Sequence, residues 1–329
     1  MSIGGLEIVV ASGKGGVGKS TITSSLALVF AEKKLDFIAV DADAEAPNLN
    51  IVLGIIDWDK IEPYYEGRYA EIVEEKCINC GECMKVCPFN AVELINNKYV
   101  INKWICEGCY TCSFVCPTKA IRMIRDIVAG HIRIKYRTPY GFALISGELV
   151  PGRPNSGKLV TEVKNRARKI GGKDAILLVD AAAGIGCQVI SSLAGAHMAI
   201  LVAEPTPASL SDLKRIHKLT KHFMIPPALI INKYDTNPEY YEIIKEYALK
   251  ENIDYLGEIP FDKHVAESAA NMEPLLIKYP DSPAATAIRK ISLKIINILQ
   301  NYREWRIKHL PPKMEPFIPI VIKPGETHT

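Results

Sequence analysis

The chain has 329 residues, 48% of them hydrophobic, enough to bury a sizeable core in one large domain or two. Its 40 lysines and arginines against 37 aspartates and glutamates leave a formal charge of +3, so neither nucleic acid nor an anionic membrane is demanded as a partner. There is no apolar run of about 18 residues and no basic-then-apolar leader, so neither a transmembrane helix nor a signal peptide is expected, and the expected compartment is the cytoplasm.

The chain opens on a short apolar run, Leu6-Glu7-Ile8-Val9-Val10-Ala11, that suits a buried strand. Gly13-Lys14-Gly15-Gly16-Val17-Gly18-Lys19-Ser20 follows and has the G-x-x-x-x-G-K-S form of a phosphate-binding P-loop. Ile22, Leu26, Val29 and Phe30 then recur at helical spacing. Glycines between a strand and a helix N-terminus gather backbone N–H groups where the helix dipole favours an anion. Gly13, Gly15, Gly16, Val17, Gly18, Lys19, Ser20 and Thr21 are therefore the expected phosphate-binding set. Lys19 would reach the β- and γ-phosphates, and Ser20 would ligate Mg²⁺. The lysine after the first glycine, in KGGVGK, resembles the deviant P-loop of the MinD/ParA/nitrogenase-iron-protein class of ATPases. That resemblance implies that Lys14 crosses a dimer interface to the nucleotide of the other subunit.

Phe37-Ile38-Ala39-Val40 reads as the second strand and ends in Asp41-Ala42-Asp43. Carboxylates at the C-terminal edge of strands in an open α/β sheet point toward the ligand crevice. This segment resembles the family's switch I, which implies that Asp43 orients the attacking water and that Asp41 supports Mg²⁺ or the switch. Residues 57–75 break the α/β rhythm with Trp58, Tyr64, Tyr65, Tyr69 and five glutamates, and read as a connector into an inserted module.

Eight of the nine cysteines follow in two matched runs. They are Cys77-x2-Cys80-x2-Cys83-x3-Cys87-Pro88 and Cys106-x2-Cys109-x2-Cys112-x3-Cys116-Pro117. The neighbours repeat as well: Asn90-Ala91-Val92 answers Lys119-Ala120-Ile121. In a cytosolic-looking chain such clustering argues for metal, not disulfides. The spacing is that of two-cluster bacterial ferredoxins, in which the fourth cysteine of each run serves the other cluster. One [4Fe–4S] cluster would take Cys77, Cys80, Cys83 and Cys116, and the other Cys106, Cys109, Cys112 and Cys87. With every corner filled by protein, such a pair suits electron hopping.

Ile132, Ile134 and Tyr136 alternate with basic residues as a half-buried strand, and Phe142 to Ile145 reads as another. A Gly/Pro-rich loop over 147–158 precedes a helix start, where its chain position suits communication between the cysteine-rich module and the P-loop domain. Ala175 to Val179 is an apolar strand ending in Asp180, the Walker B form, in which Asp180 would hold Mg²⁺ through water. Ala181 to Gly186 resembles switch II, with Ala-Ala-Ala where the family often carries proline. Cys187, the ninth cysteine, reads as a small loop thiol; its spacing from Asp180 also resembles that of a bridging-cluster cysteine in the nitrogenase iron protein. Met198 to Ala203 is a strand, Asp212 to Phe223 an amphipathic helix, and Ala228 to Ile231 a strand leading to Asn232-Lys233-Tyr234-Asp235. That N-K-x-D reads guanine in GTPases, whereas in MinD-like ATPases a matching asparagine, here Asn232, contacts adenine. The KGGVGK loop favours ATP, with GTP the alternative. A last strand over 253–260, a closing helix over 283–302 and a Pro-rich extended tail complete the chain.

In this order of motifs, residues 5 to about 300 resemble MinD-superfamily P-loop ATPases that contain an inserted ferredoxin domain. The implied fold class is a doubly wound, mostly parallel α/β P-loop sheet over 1–60 and 127–300. An α+β module of the 2[4Fe–4S] type would occupy 61–126, and the tail 301–329. The implied cofactors are two [4Fe–4S] clusters and Mg²⁺ with ATP. The implied assembly is a homodimer with nucleotide at its interface. Two functions fit: nucleotide-driven switching coupled to electron transfer toward a partner protein, or ATP-dependent assembly or carriage of an iron–sulfur or related metallocofactor.

Overall fold

The computed structural model describes residues 5–125, 127–152 and 155–312. The first strand β1 (Glu7–Ser12) runs into helix α1 (Lys19–Glu32), then β2 (Phe37–Ala42), the short α2 (Leu49–Val52) and β3 (Lys60–Tyr65). A cysteine-rich segment follows with β4 (Tyr69–Ile72), α3 (Glu82–Lys85), β5 (Val92–Ile95), β6 (Lys98–Ile101), α4 (Thr111–Val115) and β7 (Ile121–Ile124). The chain then returns through β8 (Val128–Lys135), β9 (Ala143–Leu149), α5 (Ser156–Gly171), β10 (Ile176–Ala183), α6 (Cys187–Leu193) and β11 (Met198–Ala203). It closes with α7 (Pro207–His222), β12 (Pro227–Asn232), α8 (Pro238–Lys250), β13 (Asp254–Ile259), α9 (Lys263–Ala270), α10 (Leu275–Lys278), α11 (Pro283–Gln300) and α12 (Tyr302–His309).

Nine strands form one sheet in the order β13-β12-β11-β1-β10-β2-β9-β8-β3. It is parallel from β13 to β9, and β8 and β3 add an antiparallel flank. Parallel strands are covered on both faces, which is why β1, β2 and β11 read as unbroken buried runs. Successive side chains of β1 alternate between two cores. Ile8 and Val10 pack with α1 and α11, while Val9 and Ala11 pack with α5, α6 and α7. The central position of β1 between β10 and β11 places the P-loop at the switch point of the sheet, where ligands bind.

Two expected boundaries move. Residues 60–65 are not a connector but the edge strand β3, paired antiparallel with β8. The alternation is inverted there, with Ile61 exposed and Glu62 turned inward to Arg166 at 2.7 Å and Lys60 at 2.7 Å, so the apolar pattern pointed away from a strand. The sheet therefore extends to residue 65, and the inserted segment spans about 66–125. At the other end, residues 302–309 are not an extended tail. They form α12, because Trp305 is buried, with its indole N–H donating to Asp254 at 2.6 Å, and the Tyr302 hydroxyl donates to the His197 carbonyl at 2.8 Å. Of the Pro-rich tail, residues 313–329 lie outside the described residues.

The inserted segment is built from two-stranded sheets, β4 with β7 and β5 with β6, and two short helices. Its two halves share backbone conformation as well as sequence. Asn79 and Gly108, Gly81 and Tyr110, and Asn90 and Lys119 are pairwise equivalent, and all six have positive φ. Among the described residues no helix is long and apolar enough to cross a membrane.

Candidate nucleotide site and the cysteine-lined cavities

Between β1 and α1 the chain makes a tight turn whose backbone could not carry larger residues at two points. Gly13 lies against Asp212, where a Cβ would sit 2.5 Å from its backbone carbonyl oxygen. Gly18 has φ +94° and caps α1, and a Cβ there would lie 2.4 Å from the Asn232 amide nitrogen. The loop opens on a cavity of about 520 Å³, a size typical of small-molecule sites. Gly15, Gly16, Gly18, Lys19, Ser20 and Thr21 line one side, and Asp43, Ala183 and Asn232 another. Gly13 and Val17 support the loop from behind, with Val17 buried.

Lys19 is buried and its ammonium donates to the Ser12 hydroxyl at 2.9 Å. Burial pulls its pKa below the usual lysine range, with Asp180 and Asp43 opposing the shift. Asp180 is buried within β10 and accepts from the Thr23 hydroxyl at 2.9 Å. Burial raises its pKa to about 6, against the opposing pull of Ser20, Lys19 and Thr23. Ser20 and Asp180 thus stand together as a pair able to hold a divalent cation beside phosphate. Burial also raises the pKa of Asp43, with Ala46 N–H and Lys19 opposing.

Asp41 and Asp180 face each other across paired strands. Asp41 is fully buried, and both of its oxygens are engaged by backbone. One accepts from Asp43 N–H at 3.2 Å, and the other from Asn48 and Leu49 N–H at 3.0 Å each. Of the two expected roles, this geometry supports the one in the switch: Asp41 shapes the loop that carries Asp43. Asn232 likewise holds the loop, donating to the Val17 carbonyl at 2.9 Å and accepting from Lys233 N–H at 2.9 Å while it lines the cavity. Asp235 accepts from Phe261 N–H at 2.7 Å and so ties the N-K-x-D corner to the segment after β13.

The structure adds site residues that the motifs did not name. Glu204, just past β11, pairs with both Lys14 and Lys233. Burial would raise its pKa, but the two lysines outweigh that and hold it below the usual range. Pro260, Phe261, Asp262 and Lys263 close the far end of the cavity. The strand-edge rule that picked out Asp41 and Asp180 applies equally to Glu204.

In the inserted segment the eight cysteines divide between two small cavities. Cys77, Cys80, Cys83 and Cys116 line one, together with Ile72, Ala120 and Ile121. Cys87, Cys106, Cys109 and Cys112 line the other, with Ala70, Ala91 and Val92. In each set the fourth thiol comes from the other run. Backbone N–H groups of Ala91, Ala120 and Ala70 point at the sulfurs of Cys87, Cys116 and Cys106 at 3.3, 3.2 and 3.4 Å. Burial raises the Cys112 thiol to about 11, with Cys106 and Cys109 adding to the rise. Among the described residues no three Cys, His, Asp or Glu side chains close around a single ion. A cube of four irons asks for one thiolate at each corner, a wider arrangement than the ligands of one ion. Cys187 belongs to neither set; it is exposed at the first residue of α6.

A model of the CobQ/CobB/MinD/ParA nucleotide-binding domain matches residues 8–275. The chain belongs to this family. It is 36% identical over 294 residues to the uncharacterized protein MJ0578 of Methanocaldococcus jannaschii, covering 88% of this chain and 96% of that one. It is 23% identical over 313 residues to the iron-sulfur cluster carrier protein of Pyrococcus furiosus, covering 90% and 88%. Among solved structures it is similar to the cell division ATPase MinD of Pyrococcus furiosus, with a TM-score of 0.53 and 20% identity over 89% of this chain and 99% of that one. MinD of Pyrococcus horikoshii OT3, solved with Mg-ADP, also gives 0.53 at 20% identity, over 88% and 95%. At that identity the likeness shows the fold, a mostly parallel α/β sheet of the MinD kind. The family is one of nucleotide-binding domains, and the match over residues 8–275 includes the P-loop segment.

Proposed function

We propose that this chain binds and hydrolyses ATP as a dimer and couples that switching to electron transfer through two [4Fe–4S] clusters in its inserted segment. The observation that carries this reading is the division of eight cysteines into two four-cysteine cavities, each completed from the other run. Clusters bound there would supply one-electron chemistry at low potential, and the N–H groups aimed at sulfur are of the kind that tune it. In this reading 66–125 is a ferredoxin-type module and 5–65 with 127–309 the ATPase.

On the ATPase side, the loop amides and Lys19 hold the phosphates, and Ser20 with Asp180 holds Mg²⁺. Phosphoryl transfer asks for positioning and charge stabilisation more than covalent help. Asp43 orients the attacking water, and Lys14 of a second copy adds charge at the γ-phosphate. ATP is favoured over GTP because the Asp235 carboxylate already holds Phe261 N–H. The cavity end beyond Asn232 then offers backbone and apolar contact, which suits adenine.

Glu66 gives the two parts a physical link. It follows β3 at the root of the inserted segment and accepts from Lys158 at 2.6 Å in the first turn of α5. Gly157 in turn rests against the Cys187 carbonyl at the start of α6, immediately after the stretch that resembles switch II.

The test is an anaerobic redox titration followed by EPR, with and without MgATP. A shift near ~60 mV, tenfold for a one-electron couple, supports coupling. An unshifted potential together with cluster transfer to an apo-acceptor supports the second reading, an assembly or carrier factor. That reading is favoured by the name of the Pyrococcus furiosus relative, an iron-sulfur cluster carrier protein.

A further inference from the structure

Lys14 does not extend from the P-loop into solvent. Its ammonium is ion-paired to Glu204 of the same chain, and its side chain is only 30% exposed. Glu204 also binds Lys233 at 3.2 Å, and Lys233 reaches back to the Gly16 carbonyl at 3.4 Å. The Glu204 side chain is 15% exposed, so this is a sheltered carboxylate gathering two lysines around one loop. Its position is set by the backbone: Glu204 N–H donates to the Ser209 hydroxyl at 3.0 Å, and Thr206 N–H donates to the Glu204 carbonyl at 2.8 Å. The other end of Lys14 is held too, since the Ser12 hydroxyl donates to its carbonyl at 2.6 Å.

A lysine held this way on its own subunit is not available to a neighbour. We infer that Glu204 is a positioning residue for Lys14, retaining it in cis until a second copy carrying nucleotide competes for the ammonium. This rests on the reading that Lys14 serves the nucleotide of a second subunit. The triphosphate is the stronger attractor, because it concentrates more charge than one carboxylate and draws the lysine into a drier interface. Exchange of one partner for the other makes self-association depend on the anion offered across the interface. Glu204 therefore opposes association without nucleotide, and Lys233 remains as the second cation that steadies the carboxylate after Lys14 leaves.

The experiment measures self-association of the full chain, prepared anaerobically, by sedimentation velocity over a range of concentrations. The probes are Mg²⁺ with adenylyl imidodiphosphate, Mg²⁺ with ADP, and no nucleotide. Glu204→Gln, which keeps shape and removes charge, is expected to lower the midpoint concentration with the triphosphate analogue roughly threefold, the scale of one half-exposed ion pair. Glu204→Asp is expected to restore the wild-type midpoint at least in part. In a Lys14→Met background Glu204→Gln is expected to have no effect, because the contact it releases is gone. A midpoint unchanged by Glu204→Gln overturns the inference, as does a shift that persists with Lys14→Met and disappears with Lys233→Met. A wild-type chain that stays monomeric with the analogue at every concentration overturns the dimer reading itself. A far-UV circular dichroism spectrum and urea midpoint equal to wild type separate these effects from damage to the fold.

Discussion

Asp43 and Asp41 lie two residues apart, and the structure separates their work. Asp41 is spent on backbone: three N–H groups converge on it, and its burial makes it a fixed point. Asp43 faces the cavity with one long hydrogen bond, from Ala46 N–H at 3.3 Å. Asp43→Ala is expected to bind ATP with near wild-type affinity while turnover falls about a hundredfold or more, as measured by phosphate release. Unchanged turnover would remove Asp43 from its role. A second residue-scale outcome concerns His217, which is buried on α7 with Nδ1 2.8 Å from the Tyr247 hydroxyl. Burial, then Lys221, pushes its pKa down to about 4 from the ordinary 6.5. A depressed histidine pKa means that the unfolded chain binds the proton first. Its contribution is complete above pH 6.5 and declines as pH falls toward 4, by up to roughly 3 kcal/mol. Urea unfolding between pH 7 and 4 is expected to show that loss, and His217→Gln to flatten it.

At the scale of elements, the motifs located strands and helices well wherever burial is symmetric about them. β1, β2, β10, β11 and β12 were legible because a strand covered on both faces is apolar throughout. β3 was not, because its inward face holds Glu62 and its outward face Ile61, an arrangement made favourable by Arg166 on α5. α12 was missed for a related reason: in its sequence, YREWRIKH, Trp305 is buried while Ile307 stays exposed, so no apolar period marks it, and docking depends on Asp254 of β13 and on His197 just before β11. The joint between α5 and α6 is also invisible in the motifs. Lys164 is buried on α5, pairs with Glu7 at 2.5 Å, and donates to the carbonyls of Ser191, Ser192 and Ala194 at 3.0, 2.8 and 2.7 Å. It thereby caps the C-terminal end of α6, whose last carbonyls have no partner within the helix. Lys164→Met is expected to cost about 3 kcal/mol, since it strands a buried carboxylate and those carbonyls together. Arg168, 3.1 Å from Glu7, keeps the loss from being larger. A urea midpoint equal to wild type would show that water replaces the ammonium without penalty.

The described residues form an α/β unit and a cysteine-rich segment, which meet at residues 65–69 on one side and around Ile124, Arg125 and Ile127 on the other. In the sheet, β3 and β8 lead into and out of the insert side by side, so the segment grows from one edge without disturbing the parallel strands. The cavity of Cys87, Cys106, Cys109 and Cys112 lies toward this junction: Tyr110 in its lining meets Arg68 by a cation–π contact at 4.9 Å, and its hydroxyl accepts from Arg125 at 3.0 Å. Arg68 and Arg125 belong to the two connecting stretches. Because the two units have separate cores, Lys19→Ala is expected to abolish nucleotide turnover while the visible absorbance of the proposed clusters persists. Loss of that absorbance would contradict the separation.

Read by itself, the sequence determined the local chemistry of this protein. Adjacent residues are enough to build a P-loop, since glycines, a lysine and a serine on one turn act through their own backbone. Adjacent residues are also enough to space three cysteines around one point. The tertiary structure alone decided which distant groups meet these motifs. It brought Asp41 onto the backbone of Asn48 and Leu49, Asn232 onto Val17, Glu204 onto Lys14, and Glu62 inward to Arg166. Each of those contacts gives a buried or half-buried polar group a partner, and the identity of that partner is set by packing, which no short stretch of sequence encodes.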